Sequence, residues 1–212
     1  MKRFGALFDL DGVILDSESR YTEFWNGIER IYPTGIENYA VAIKGTTLPV
    51  ILNNYASEDV RKDITNRLNE YQATMPFVPF AGAIDFLRRL HDAGIPMALV
   101  TSSDALKLKR LFATLPQLRE QFDTVIDGDM VKHSKPDPEG YLRAARSIGM
   151  EPERCIVFED SLQGLAAGRA SGAKVVALAT TYPADRVRDL ADMTAPSLSA
   201  IEIQSLNNLI ES

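Results

Sequence analysis

The sequence contains little of several residue types that define whole classes of protein. Cys155 is the single cysteine among 212 residues, so no internal disulfide can form. No run of about 18 apolar residues occurs, and the stretch before Asp9 is too short for the apolar core of a signal peptide. We therefore expect a cytoplasmic protein that has no membrane partner, with Cys155 in a buried strand.

Positive charge is also in short supply. Lysine and arginine total 23 against 29 aspartate and glutamate, which gives a net charge of −6. This balance disfavours a nucleic-acid partner or an anionic membrane, because both attract basic surfaces, although a local cationic pocket remains compatible with it. The length suits one substantial core with a smaller insert, and nothing in the sequence requires more than a monomer.

The hydrophobic pattern changes along the chain. Between Ser17 and Pro79 apolar residues recur at helical spacing, at Tyr21, Phe24, Trp25, Ile28 and Ile31 and again at Val60, Ile64, Leu68 and Tyr71. From Phe80 onward, short apolar strands alternate with helical segments, and the end of the chain predicts short helices and an edge strand. Such alternation is typical of an α/β protein with a parallel sheet flanked by helices, here with an all-helical insert over residues 18–79.

Two carboxylates follow the first predicted strand, because Asp9 and Asp11 come directly after an apolar run and precede Gly12. A hard divalent cation such as Mg²⁺ would let both ionise, since it takes carboxylate and phosphate oxygens as ligands. A carboxylate can accept a phosphoryl group, and a second one with a raised pKa can move protons. We therefore predict Asp9 as nucleophile and Asp11 as acid/base. A turn closed by Asx hydrogen bonds is the alternative.

Three later segments offer groups that a phosphate site needs. Thr101 and Ser102 lie between a strand and a helix, as an anion site or simply as part of a helix cap. Lys135 could neutralise both phosphate and Asp9, or be an ordinary solvated lysine. Glu159 and Asp160 follow another strand, where they could ligate a metal, Asp160 directly and Glu159 directly or through water. The alternative is that they only interact favourably with the dipole of the following helix. Because ligands bind beyond the carboxyl ends of parallel strands, the joint functional interpretation is favoured.

Together these segments resemble the four motifs of the haloacid dehalogenase-like hydrolase superfamily, in the branch with β-phosphoglucomutase and small sugar-phosphate phosphatases. The motifs occur in the family's order and span nearly the whole chain. The matching residues are Asp9-x-Asp11-Gly12-x-x-x-Asp16-Ser17, Thr101, Lys135-Pro136 and Glu159-Asp160.

The resemblance implies a Rossmann-like core, residues 1–17 and 80–212, and a helical cap domain, residues 18–79. It also implies Mg²⁺ as cofactor and a phosphorylated aspartate as intermediate. The metal ligands that it implies are the side chains of Asp9 and Asp160 and the backbone carbonyl of Asp11. Thr101 and the Ser102 amide would hold the phosphoryl group, and Lys135 would bridge that group to Asp9.

Substrate contacts are expected from the insert. Lys44, Gly45 and Thr46 resemble the family's cap loop, although a helix end at Gly45 with an exposed lysine is the alternative. Tyr21 and Trp25 share a helix face with apolar residues, so we expect them in the core of the insert rather than stacked on a sugar.

Departures from the mutase pattern favour a phosphatase. Tyr21 stands where β-phosphoglucomutases carry a histidine, and the cap-loop arginine is absent near Thr47-Leu48, which weakens the grip on a bisphosphate. We predict a Mg²⁺-dependent phosphatase that hydrolyses a small sugar or polyol phosphate. A β-phosphoglucomutase-type phosphotransferase is the runner-up. A non-catalytic phosphometabolite-binding or regulatory protein is disfavoured, because the predicted nucleophile and metal acids are all present.

Overall fold

The computed structural model describes residues 4–212, so residues 1–3 of the predicted core lie outside the described part. Within that range six strands form one parallel sheet in the order β3-β2-β1-β4-β5-β6. The strands are β1 Gly5–Phe8, β2 Met97–Val100, β3 Thr124–Ile126, β4 Cys155–Glu159, β5 Lys174–Leu178 and β6 Met193–Ala195. In the register of the central strands, Ala6 of β1 lies opposite Met97 of β2 and Ile156 of β4. The predicted α/β fold with a Rossmann-like parallel sheet is confirmed.

A run of helices separates β1 from the rest of the sheet, and we call it the helical insert. Its helices are α1 Glu18–Ile31, α2 Tyr39–Ala42, α3 Leu48–Leu52 and α4 Glu58–Thr74. The insert has its own buried cluster, in which Trp25, Ile28, Tyr39, Ile64 and Leu68 pack together. It is therefore held by its own apolar contacts, while the domain boundaries at residues 17/18 and 79/80 stay a prediction.

The other helices cover both faces of the sheet. They are α5 Ala83–Asp92, α6 Ala105–Thr114, α7 Pro116–Arg119, α8 Glu139–Ser147, α9 Leu162–Ala170, α10 Ala184–Val187 and α11 Ile203–Glu211, with 3₁₀ turns at Pro152–Arg154, Arg188–Leu190 and Leu198–Ala200. Residues of β1 alternate between two buried clusters, with Phe8 in one and Leu7 in the other. Such two-sided burial explains why the strands read as continuous apolar runs rather than alternating ones.

Aromatic packing fixes the two central strands on one face of the sheet. The Phe8 and Phe158 rings stack with centroids 4.4 Å apart, and Phe86 of α5 meets both rings edge-on. Cys155 at the start of β4 is fully buried and free, as predicted. The predicted edge strand near the end of the chain is β6.

Among residues 4–212, no helix combines the length and apolar character needed to cross a bilayer.

The sheet order explains how distant parts of the sequence meet. Strands β2, β1 and β4 are neighbours, so Thr101, Asp9 and Asp160, which follow these strands, emerge side by side at one edge. This edge is where a parallel α/β sheet binds its ligands.

Candidate active site

Lys135 lies at the centre of a buried cluster of charges. Its Nζ is 2.5 Å from Asp9 Oδ1 and 2.6 Å from Glu159 Oε1, and it also donates to the Val100 carbonyl at 3.3 Å. Burial alone would lower the pKa of Lys135, but the two carboxylates outweigh it and raise the pKa. Lys135 is therefore a fixed ammonium group that touches the predicted nucleophile, not a solvated lysine.

Three carboxylates crowd the same place. Asp9, Glu159 and Asp160 each offer an oxygen, and these oxygens lie within 4.8 Å of one another. Burial raises the pKa of Asp9 to about 8, although Lys135 opposes the change. Burial, followed by the charges of Glu18 and Glu159, raises the pKa of Asp160 well above its ordinary value. The described side chains therefore supply too little positive charge to neutralise these three carboxylates.

Asp160 and Glu159 differ in how their oxygens are used. Asp160 Oδ2 accepts from the Thr181 hydroxyl, whereas its Oδ1 is buried and has no hydrogen-bond partner among the described residues. Glu159 Oε1 accepts from Lys135 and from Tyr141 Oη at 2.7 Å. Its Oε2 accepts from the amides of Asp160 and Ser161 at 3.0 and 3.2 Å. An orphaned buried oxygen beside other hard donors fits a divalent cation, and that oxygen belongs to Asp160.

Two glycines let the backbone approach these acids. Gly12 has φ +81°, and a Cβ there would lie 2.0 Å from Asp160 Oδ2. A Cβ at Gly164 of α9 would lie 1.8 Å from Glu159 Oε1. Neither position has room for a side chain, so the loop after β1 and the start of α9 close tightly around Glu159 and Asp160.

Asp11 is held by three donors on the other side of the cluster. Its Oδ1 accepts from Ser17, and its Oδ2 accepts from Lys107 Nζ and from Ser103 Oγ at 2.9 Å. Burial alone would raise the pKa of Asp11, but Lys107 and the hydroxyls outweigh it and lower the pKa. Lys107 also lies over the Tyr21 ring of the insert, 4.6 Å from its centroid. Asp11 is therefore a carboxylate in this arrangement, and the raised pKa expected of the acid/base residue is found at Asp9 instead.

Lys107 is 1% exposed, and it is a site residue that was not predicted from the sequence. A signal was present, because Lys107 directly precedes Leu108 and lies four residues before Leu111, on the apolar stripe of α6. A lysine inside such a stripe indicates a buried ammonium group, and a buried charge requires a partner.

A cavity of about 110 Å³ lies between the helical insert and the sheet edge. Lys135 and Glu159 are absent from its described lining and reach it through Asp9. The predicted site residues that do line it are Asp9, Asp11, Lys44, Gly45, Thr46, Thr101, Ser102 and Asp160. Residues that follow three different strands therefore share one cavity with residues of the insert.

The loop around Gly45 docks the insert onto the core. Ser102 Oγ donates to the Gly45 carbonyl at 2.7 Å, and the Thr47 amide donates to Ser134 Oγ at 2.9 Å. Gly45 has φ +80°, and a Cβ there would lie 2.5 Å from Ser161 Oγ. The absence of a side chain at Gly45 is therefore a condition for this closed arrangement.

The other predicted insert residues are engaged within the insert. Lys44 forms a salt bridge with Glu18, and its side chain is only 10% exposed, so it is not an exposed lysine. The Thr46 hydroxyl donates to the Ile43 carbonyl at 2.7 Å. Trp25 is buried in the insert's cluster, as expected, and together with Tyr21 it also lines the cavity.

The parallel sheet, with its acid–lysine cluster beyond the strand ends, defines an α/β enzyme of the hydrolase type. The chain belongs to the haloacid dehalogenase-like hydrolases, whose family model matches residues 5–172.

Curated relatives in this family include named phosphatases. Hexitol phosphatase A of Escherichia coli (strain K12) is 31% identical over an alignment that covers 98% of this chain and 97% of the relative. Fructose-1-phosphate phosphatase YqaB of the same organism is 31% identical over 81% of this chain and 94% of its own length. Among solved structures, β-phosphoglucomutase from Clostridium difficile shares the fold, with a TM-score of 0.80 at 21% identity over 99% of this chain and 97% of that one.

Proposed function

We propose that this protein is a Mg²⁺-dependent phosphatase that hydrolyses a small phosphate monoester of a sugar or polyol through a phosphorylated Asp9. One observation carries the proposal: Asp9, Asp11, Lys135 and Asp160, scattered along the sequence, meet at one edge of the sheet beside a cavity. The named phosphatase relatives support it.

In the first step an Asp9 oxygen attacks phosphorus, and the bond between phosphorus and the leaving oxygen breaks. Lys135 holds Asp9 in place and offsets its charge as it approaches an anionic group. Thr101 and the Ser102 amide, directly after β2, bind the transferring phosphoryl oxygens. Asp11 is a carboxylate before the ester binds, so in this proposal it first takes up a proton from solvent as the ester binds and then donates it to the leaving oxygen.

In the second step Asp11 acts as a base. As a carboxylate it takes a proton from water, whose oxygen attacks phosphorus and breaks the bond to Asp9. Ser17, Ser103 and Lys107 hold Asp11 in the carboxylate form that this step needs. Phosphate leaves, and Asp9 is regenerated.

The donor set supports Mg²⁺ as the cofactor. We assign the side chains of Asp9 and Asp160 and the backbone carbonyl of Asp11 as ligands, because hard oxygen donors and the orphaned Asp160 Oδ1 suit this ion. Glu159, with both oxygens already accepting hydrogen bonds, positions Lys135 and would reach the metal through water. When bound, Mg²⁺ supplies charge neutralisation for the acids and the phosphoryl oxygens.

The helical insert acts as the cap in this proposal. The contacts of Gly45 and Thr47 with the core enclose the cavity, which excludes water and strengthens charge interactions during transfer. A cytoplasmic location and a monomeric state remain part of the proposal as predictions.

A phosphate-release screen over small phosphate esters, with Mg²⁺ and with a chelator, tests this function. We expect release from sugar and polyol monophosphates with Mg²⁺ and loss of release in chelator. Activity indifferent to the chelator would contradict the metal assignment, and no release from any ester would contradict a phosphatase. Interconversion of β-glucose 1-phosphate and glucose 6-phosphate faster than phosphate release would favour the mutase instead.

A further inference from the structure

Gln72 is a buried polar residue of the insert whose hydrogen bonds are incomplete. It lies on α4, is 6% exposed and lines the cavity. Its Nε2 donates to the Tyr21 hydroxyl at 3.2 Å, whereas its Oε1 is buried and has no partner within residues 4–212. A buried amide oxygen without a donor is costly, so a polar partner that reaches it is favoured.

The other polar side chains on this wall of the cavity are already used. Lys44 and Glu18 neutralise each other, and the Thr46 hydroxyl bonds to backbone. The remainder of the wall is apolar, with Ile43, Leu48, Ile51 and Leu68 beside Trp25. Apart from the indole N–H of Trp25, the Gln72–Tyr21 pair is thus the polar feature of this wall that can bind a hydroxyl group.

The charges around the cavity do not suit a second phosphate. Its described lining contains two ammonium groups, and each is paired: Lys44 with Glu18 and Lys107 with Asp11. The carboxylates of Asp9, Asp11, Glu18, Asp104 and Asp160 outnumber these ammonium groups. Even with a divalent cation at the transferring phosphoryl group, a distal phosphate with nearly two negative charges would find no free cation here. An uncharged leaving group avoids this penalty.

We infer, resting on the proposed phosphatase activity, that the cavity selects monophosphates with an uncharged, polyhydroxylated leaving group, which Gln72 and Tyr21 bind through hydroxyl groups. Gln72 Oε1 accepts from a substrate hydroxyl, while Tyr21 fixes the amide from the other side. The carbon chain lies against the apolar residues of the wall. Bisphosphates are excluded because both lysines that line the cavity within residues 4–212 are already paired with carboxylates, which leaves no cation there for a second phosphate.

A matched pair of substrates tests the role of Gln72. Sorbitol 6-phosphate and n-hexyl phosphate have the same carbon chain but differ in hydroxyl groups. We expect Gln72→Met to lower the ratio of kcat/KM for the first ester to that for the second by about tenfold, mainly through KM, because one hydrogen bond is lost. Tyr21→Phe should lower the ratio in the same direction, and it provides a second variant should Gln72→Met fold poorly.

Asn66→Met is the matched control, since Asn66 is an exposed amide on the same helix. It should leave the ratio within about twofold of wild type. Equal ratios in wild type, Gln72→Met and Tyr21→Phe would overturn the inference about the hydroxyl-binding pair. Turnover of sorbitol 1,6-bisphosphate as efficient as that of the monophosphate would overturn the charge argument.

A binding measurement separates this inference from the proposed function. Calorimetric titration of the two esters into Asp9→Asn, with and without Gln72→Met, needs no turnover. Tighter binding of sorbitol 6-phosphate that disappears in the double variant supports the inference even if wild type releases no phosphate. Equal binding of both esters by Asp9→Asn would overturn it even if wild type is an active phosphatase.

Discussion

The two walls of the cavity hold their polar groups differently. On the core wall, Asp9 and Asp11 follow a central strand, and each is tied to a buried lysine. On the insert wall, one salt bridge and one amide stand among apolar side chains, and Gln72 leaves an oxygen unpaired. In the proposed function, the core wall is therefore organised before an ester binds, whereas a bound ester would complete the hydrogen bonds of the insert wall. The core wall would then carry out the chemistry, and the insert wall would select the substrate.

The connection between the walls explains the difference. The strand ends are fixed by ladder hydrogen bonds across a buried sheet, while the insert joins the core through two short segments, near residues 16–17 and 76–79. We expect the insert to open and close about these segments to admit the ester and release its products. Substitutions in the core wall should remove activity or stability, and those in the insert wall should change which ester is used.

The largest effect should follow Asp9→Asn. Losing the nucleophilic oxygen should reduce kcat for phosphate release on the order of 10⁴-fold, measured with a sugar monophosphate and Mg²⁺. The fold should survive, because Lys135 keeps its contact with Glu159. Asp189→Asn is the control, since Asp189 is exposed and is absent from the described lining of the cavity. Phosphate release by Asp9→Asn at a rate near that of wild type would contradict the assignment of the chemistry to the core wall.

The next largest effect that we expect is a loss of stability in Lys107→Met. Removing one partner of a buried pair leaves the Asp11 carboxylate uncompensated, and we expect a cost of about 3 kcal/mol in the free energy of unfolding, measured by denaturant titration. Lys109→Met, at an exposed position of the same helix, should change it by less than about 0.5 kcal/mol. Equal values for both variants would mean that the Lys107–Asp11 pair contributes nothing to stability.

The same pair predicts a pH dependence. Because the pKa of Asp11 is lowered in the folded chain, the pair's contribution is fully present above the ordinary carboxyl pKa of about 3.9. It is lost as pH falls through the lower folded pKa. The stability difference between wild type and Lys107→Met should therefore narrow below about pH 4. A difference that stays constant into the acid range would contradict this assignment.

A smaller effect is expected where the walls meet. Gly45→Ala adds a Cβ against Ser161 and places alanine in the left-handed region, so closure should weaken and kcat/KM fall about tenfold. Gly35→Ala imposes the same backbone strain at φ +75° with nothing within 4 Å. It should lose only about 1 kcal/mol of stability. Equal kinetics for the two variants would show that the Gly45 contact does not govern closure.

The functional residues of the core wall could be predicted from the sequence because they follow apolar strands. Asp9, Thr101 and Asp160 could be placed at one sheet edge from the alternation of strands and helices alone. The sheet then brings Lys135 to Asp9 across 126 positions of sequence. The sequence predicted Asp160 as the direct ligand but left open whether Glu159 acts directly or through water, because that choice depends on which oxygens the backbone amides of the following turn occupy.

The insert wall could not be derived in the same way. Gln72 lies four residues after Leu68, so its spacing places it on the buried stripe of α4, but the sequence does not indicate that its amide lines a cavity or lacks a partner. Lys107 is a similar case, since its position on an apolar stripe predicts burial but not the identity of its partner. Partners across a domain interface depend on packing between segments, which local periodicity does not encode.

The proposed mechanism requires Asp9 to carry the phosphoryl group during turnover. Rapid acid quenching of the enzyme with Mg²⁺ and excess sugar phosphate, followed by mass spectrometry of its peptides, tests this most directly. We predict a phosphorylated peptide that contains Asp9, formed as fast as turnover and absent from Asp9→Asn. Steady phosphate release with no phosphorylated protein, or with the phosphoryl group on another residue, would contradict the account.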